Sequence, residues 1–382
     1  MKSIYEEIVE NLKKNNGVLS EDFVPSSAKE QLAFLDENEE AVEVSLPEGE
    51  EDEIEVDGPV TWAPGAKDGV LLYHMQMDES DEEELENIGR AIEYLANKGE
   101  NEFLDEVAKI ATPTISIVRY IYDYIIEHQD ELDPNVMVSR ALNVMEGAFD
   151  LEAIKFALAV SSMVDLSSDE DAASIVRNLS RYEEFSVFSI YNFLAWQETS
   201  SEKEILDVAK NTQGWGRVHA VSCLDMLRRD EEVELSQETK DWVFKHGIDN
   251  GVLPSYSAEP TFMIAECEKK IEDDINSDDM ECLVDIFSAL YEEPQFGIES
   301  IQVENGDCGD LIKRMLSKCK GYLEKAEDDD SLAAKIRSMI DKIKEYHIYQ
   351  RVEEKDREEI PEDMFLFNYK VNEEIIDVCE EI

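Results

Sequence analysis

Positive charge is scarce in this sequence. Across 382 residues, 35 Lys and Arg stand against 92 Asp and Glu, a formal charge of −57 at neutral pH. A surface of that sign repels phosphate, so neither nucleic acid nor an anionic membrane is an expected partner. A protein or peptide is expected instead, and the charge leaves three uses open: a basic partner, cations, or simple solubility of solvated outer helix faces. Proline and glycine are also few, at 10 and 16, which disfavours a fold of many tight turns and favours helices. No stretch approaches the ~18 consecutive apolar residues of a membrane span, and the opening MKSIYEEIVENLKK has no apolar signal core. The six cysteines, at 223, 267, 282, 308, 319 and 379, form no CxxC and sit mostly in apolar helical patterns, as buried reduced thiols do. These absences together lead to the expectation of a soluble cytoplasmic protein.

Reactive motifs are equally sparse. There is no Walker loop, no GxSxG elbow and no HxE with PCxxC. Among 92 acidic residues, carboxylate pairs arise everywhere by chance, so none stands out as general acid and base. No cofactor and no metal site is expected, and an enzyme is disfavoured.

What the sequence holds in quantity is amphipathic helix. Ile4, Ile8, Val9 and Leu12 have helical spacing, and Ala28 to Leu35 predicts a second short helix. From Asp36 to Asp57, twelve of twenty-two residues are acidic, broken by alternating runs, AVEVSL and IEVDGPV, that read as edge strands or as solvated loop. TWAPGAKDGVLLYHM carries turn signals at Pro64-Gly65 and Asp68-Gly69. From about residue 82 onward helix follows helix. Pro113 and Pro134 mark helix starts, and Ser168 with Asp171, Ser201 with Glu204, and Ser236 read as caps. Strongly apolar segments, FALAV, NFLAW and HAVSCL, recur about every thirty residues, each followed by a more polar helix. Pro294 to Asp310 interrupts the rhythm as a loop, and the last residues predict a short terminal helix.

This periodicity resembles HEAT and armadillo repeats, in which each helical hairpin covers the apolar face of the next. The resemblance implies a superhelical α-solenoid of helical hairpins over 81–345; the residues on either side read as a small acidic N-terminal α+β or irregular segment over 1–80 and a C-terminal cap or tail over 346–382, in a protein that is mainly all-α. It also implies protein or peptide binding as an adaptor or scaffold.

One stretch concentrates chemistry, NTQGWGRVHAVSCL at 211–224. On a helix Trp215, His219 and Cys223 share a face, with Val218, Val221 and Leu224 beside them, while Arg217 and Asp225 point elsewhere. His219 and Cys223 could be two ligands of a metal, or core residues of an inner helix; no second Cys/His pair accompanies them. GWGRVH holds GxG without the third glycine or a preceding strand, so its glycines read as helix-opening residues. This stretch is similar to a segment of bacterial proteins labelled limonene hydroxylase, which implies an enzyme as an alternative. Asp274, Asn276, Asp278 and Asp285 have the spacing of a calcium loop, but Asp279 replaces its turn glycine; the competing reading is an Asp-rich turn. Tyr120, Tyr122 and Tyr124 spread around one helix, to pack between neighbours or to line a peptide groove. The candidate binding residues are Trp215, Arg217, His219, Tyr120, Tyr124 and Trp196. A further alternative is an acidic immunity protein, or nucleic-acid mimic, that neutralises a basic partner.

Overall fold

The computed structural model describes residues 2–32, 61–74, 82–197, 199–230, 233–327, 330–351, 367 and 369–382. Within them the protein is all-helical, with no β-strand among the described residues. In chain order the helices are α1 (Ile4–Lys14), α2 (Ala66–His74), α3 (Glu82–Asn97), α4 (Glu100–Val107), α5 (Thr114–Glu127), α6 (Pro134–Gly147), α7 (Leu151–Ser161), α8 (Glu170–Leu179) and α9 (Glu183–Ala195). They continue as α10 (Ser201–Asn211), α11 (Trp215–Asp230), α12 (Gln237–His246), α13 (Ser255–Ile264), α14 (Cys267–Glu272), α15 (Ser277–Leu290), α16 (Cys308–Leu323), α17 (Ser331–Gln350) and α18 (Tyr369–Glu380).

Local chemistry explains where these helices begin. Ser3 closes a capping box with Glu6 at the head of α1, Asp133 caps α6 with Pro134 at its first turn, and Ser236 accepts the Thr239 N–H of α12. Two caps differ from expectation. Asp169, one residue beyond Ser168, accepts two backbone N–H groups of α8, because a carboxylate suits the positive end of a helix better than a hydroxyl. Ser200 holds the cap position of α10, and Ser201 is its first helical residue.

Two other expectations change. Residues 28–32 of the expected helix at Ala28–Leu35 form successive turns, in which Ala28 carbonyl oxygen accepts from both Gln31 and Leu32. In TWAPGAKDGVLLYH only Pro64-Gly65 turns the chain; Asp68-Gly69 lies inside α2, since helix packing overrides the weak turn preference of that pair. The alternating runs AVEVSL and IEVDGPV lie outside the described residues.

The chain divides into two compact units, 1–220 and 221–382, with the division falling inside α11. In the first unit α3 packs on α5, α5 on α7 and α7 on α9, while α4 packs on α6 and α6 on α8. α6 also packs on α7 and α3, and α8 on α9, so the two rows are cross-linked. The expected pairing of apolar α7 with polar α8 is thus not the principal one: α7 is enclosed by α5, α6 and α9. α1 lies on α6 and α8. In the second unit α13, α15 and α17 form one row and α14, α16 and α18 another, around a core that includes Phe262, Leu283, Phe287, Leu311, Met315, Ile336 and Ile375.

Candidate functional site

The first unit buries an ionic cluster. Helix α7, LEAIKFALAVS, is buried on every side, with Glu152 as its one partly exposed residue, so the lysine within it has no route to water. Lys155 is 2% exposed and its Nζ lies 2.7 Å from Asp68 Oδ2 and 2.7 Å from Glu184 Oε2, residues themselves 1% and 2% exposed. Glu152 Oε1 stands 3.2 Å away. Burial opposes the ammonium charge, but the carboxylates of Asp68, Glu152 and Glu184 outweigh it and hold Lys155 well above its ordinary range. Such an amine stays protonated and is no nucleophile. Asp68 absorbs the imbalance of one cation among three carboxylates: burial, with Glu152 and Glu184 against the pull of Lys155, pushes it up to about 7. Its Oδ1 has no hydrogen-bond partner.

Backbone geometry brings α2 to this cluster. The Gly65 N–H donates to Glu184 Oε1 at 2.6 Å. Gly65 has φ +76°, and a Cβ there would stand 2.9 Å from the Glu183 carbonyl oxygen, so only glycine fits.

The adjoining residue, Glu183, explains the GWG stretch. Its Oε1 accepts the N–H groups of Gln213 and Gly214, each at 3.0 Å, and its Oε2 accepts that of Gly216. An internal carboxylate thereby occupies the anion site that the start of α11 presents. A Cβ on Gly216 would come within 2.8 Å of that carboxylate, so this glycine makes room for a fixed protein anion. Trp215 is buried against Gly69 of α2, where a Cβ would lie 2.2 Å from the indole. Tyr73 of α2 stacks on both Trp215 and His219, with ring centroids 5.9 and 5.8 Å apart.

Arg217 is buried, and its Nε donates at 3.0 Å to the carbonyls of Ala209 and Thr212, closing the C-terminal end of α10. Burial pushes the His219 imidazole down to about 4 and the Cys223 thiol up to about 12, so at neutral pH one is an uncharged ring and the other a thiol. Neither ring nitrogen of His219 has a hydrogen-bond partner. Trp196 is buried as well, edge-on to Phe193 with the Arg177 guanidinium over its ring. The tyrosines differ: Tyr124 and Tyr120 on α5 are half-buried. Tyr124 covers Gly89, stacks on His128 and donates to Glu93 Oε1 at 2.8 Å. Trp215, Arg217 and His219 thus lie along one helix, α11, while Tyr120 and Tyr124 belong to α5 and Trp196 follows α9.

The stretch with calcium-loop spacing is the start of α15. Asn276 caps it by accepting the Asp279 N–H at 2.9 Å, and Asp285, inside the helix, pairs with Lys335. Sequence reading missed two polar centres. One is the Lys155 cluster, whose signal is a lysine in a helix apolar on all sides. The other, in the second unit, is His347 of α17: its Nδ1 lies 2.7 Å from Asn372 Oδ1 and its Nε2 3.1 Å from the Tyr291 hydroxyl. Asn372 Oδ1 only accepts, so Nδ1 carries the proton and Nε2 accepts from Tyr291, a neutral tautomer that ties α18 to α15 and α17.

Among the described residues no group of three or more His, Cys, Asp or Glu side chains is arranged to hold a metal ion, and no helix is long and apolar enough to cross a membrane. Comparison with protein-family models, with curated proteins and with solved structures gives no match for this chain.

Proposed function

We propose that this chain is a non-enzymatic binding protein: an α-solenoid of HEAT-like hairpins that serves as adaptor or scaffold for a positively charged protein or peptide. The observation that carries this reading is its charge. Of 92 carboxylates against 35 cations, 57 have no cation to balance them, and several of the cations are paired within the protein. Lys155 is enclosed by carboxylates, and Arg177 donates two bonds to Glu204 at 3.1 and 3.0 Å. Arg314 holds Glu268 and Glu272, and Lys335 holds Glu281 and Asp285. What remains toward solvent is a strong field of one sign, which accelerates encounter with a cationic partner and makes it sensitive to salt.

Two further features support the reading. Within each unit, helices of one row touch the next in that row, as hairpins of a repeat array do when each covers its neighbour's apolar side. The reactive residue types where α2, α7, α9 and the start of α11 meet are used to hold helices, since Lys155 stays charged and His219 neutral. The same charge favours a second, narrower reading, in which the partner is a basic enzyme that the chain neutralises. Affinity capture from the native cell tests both: the first expects a basic protein that is displaced by salt, and the second expects that protein to lose activity when bound. Recovery of only acidic or neutral partners would overturn both.

A further inference from the structure

The second unit carries a groove of about 390 Å³ where the segment before α12 meets the end of α13, the start of α14 and the loop after α15. That volume is at the lower end of the roughly 300–1,000 Å³ typical of ligand sites. Phe262 and Leu235 are buried there, Met263 is half-buried, and Val233 is an exposed apolar residue, 37% accessible, at the edge.

Around this apolar floor the charges are unevenly spent. Lys240 and Lys269 both pair with one carboxylate, Glu266 Oε1, at 3.3 and 3.0 Å. Glu268 is engaged by Arg314 at 2.7 Å and by the N–H groups of Glu304 and Asn305. Glu234 and Glu304, by contrast, make no hydrogen bond or ion pair through their carboxylates among the described residues; both are exposed and lie within electrostatic reach of Lys269. The turn that shapes this rim is also unusual. Glu266 sits at φ 52°, ψ 45°, a left-handed conformation that a residue with a side chain seldom adopts, and its carbonyl accepts from Lys269 and Lys270 to start α14.

Arg228, the third cation of the lining, is spent on Asp225 at 2.7 Å, so apolar side chains beside two carboxylates that make no ion pair match one kind of side chain: a long aliphatic stem ending in a cation. We propose that this groove is the docking point for an arginine or lysine side chain of a basic partner peptide, with its stem against Val233, Leu235 and Met263 and its charge between Glu234 and Glu304. This deepens the proposed function and rests on that reading. A guanidinium suits the site best, because its planar fork can bond two carboxylates at once.

The test is fluorescence anisotropy of a labelled peptide of alternating glycine and arginine with the full chain at about 150 mM salt, where interactions beyond roughly 8 Å are screened. A glycine–glutamate peptide is the control. The double variant Glu234→Gln/Glu304→Gln is compared with Glu127→Gln/Glu131→Gln, the same charge change on exposed residues of the first unit. The expected result is a five- to tenfold loss of affinity for the groove variant and less than twofold for the distant one. Val233→Trp, which fills the groove without changing charge, is expected to weaken the peptide to a similar degree while its circular-dichroism melting curve matches the parent. Equal effects of the two charge variants, with no effect of Val233→Trp, would overturn the groove and leave the basic-partner reading standing. Absence of any preference for the arginine peptide over the glutamate peptide would overturn both.

Discussion

Replacing Lys155 by methionine keeps the length of the side chain and removes its charge, leaving Asp68 and Glu184 facing each other with no cation 2.7 Å away. All three groups are nearly inaccessible, so water does not screen the loss. Removing one partner from a buried ion pair costs roughly 3–5 kcal/mol. At about 2–4 °C per kcal/mol for a domain of this size, the melting temperature of the first unit should fall by roughly 6–20 °C. The loss should also depend on pH. Asp68 already titrates at about 7, above its ordinary 3.8, and without Lys155 its carboxyl rises further. A folded-state pKa raised above the unfolded one adds stability that is present at low pH and disappears as pH rises through the folded value. The variant should therefore be closer to its parent at pH 5 than at pH 8. The triple variant Lys155→Met/Asp68→Asn/Glu184→Gln, which removes the charges together, should recover at least half of the loss. Thermal unfolding followed by circular dichroism at both pH values measures all three. A Lys155→Met variant within about 0.5 kcal/mol of its parent at pH 8, or a triple variant no better than the single one, would refute the argument that this cluster holds α2, α7 and α9 together.

Other consequences follow from the same geometry. Asp68→Asn should lie progressively closer to or above the parent as pH rises from about 4 to 7, because protonated Asp68 contributes up to about 4 kcal/mol below that window, its raised pKa of about 7 against 3.8 being roughly three units; a pH-independent difference in urea midpoint would contradict this. Gly216→Ala should destabilise by roughly 1–3 kcal/mol, since its Cβ would meet Glu183 and Thr212 at 2.8 Å, and an unchanged melting temperature would show that α11 does not depend on that carboxylate. His219 has a folded pKa depressed to about 4 from 6.5, so the stability its neutral ring supplies is lost as pH falls from about 6.5 toward 4. His219→Phe should accordingly gain about 2–3 kcal/mol on its parent between pH 7 and pH 4.5. The imidazole proton signals that disappear in His219→Phe, and so belong to His219, should not shift between pH 5.5 and 8 in the parent, and a midpoint near 6.5 for them would mean that His219 is solvated.

Much of the helical pattern is legible in the sequence because periodic apolar residues and caps act over one or two turns. Ile4, Ile8 and Leu12 line the buried face of α1, and Pro113, Pro134 and Ser236 mark starts that the structure keeps. Where two neighbouring residues can each cap, as at Ser168 and Asp169, spacing alone does not choose between them, and the carboxylate takes the position. The pairing of helices is less legible still: α7 is apolar all round and therefore has no single preferred neighbour, and it packs on α5, α6 and α9. The buried cluster was hidden for a different reason. Asp68 and Glu184 are two among 92 acidic residues, and nothing within a few positions of either marks it as buried. Lys155 carried the readable signal, since a cation in the middle of FALAV-type helix has to find its counter-charges inside. Gly214 and Gly216 open α11, as their place before an apolar helix predicts, but the anion they admit, Glu183, lies about thirty positions away in the sequence, beyond the reach of any local motif.

The proposed acidic binding surface is tested most directly by the ionic-strength dependence of its association with the partner recovered from the native cell, or with the arginine peptide. Association rates measured by stopped flow from about 20 to 500 mM salt should fall by at least an order of magnitude, while dissociation rates change far less. An association rate that stays flat over that range would contradict the role assigned to the 57 unbalanced carboxylates.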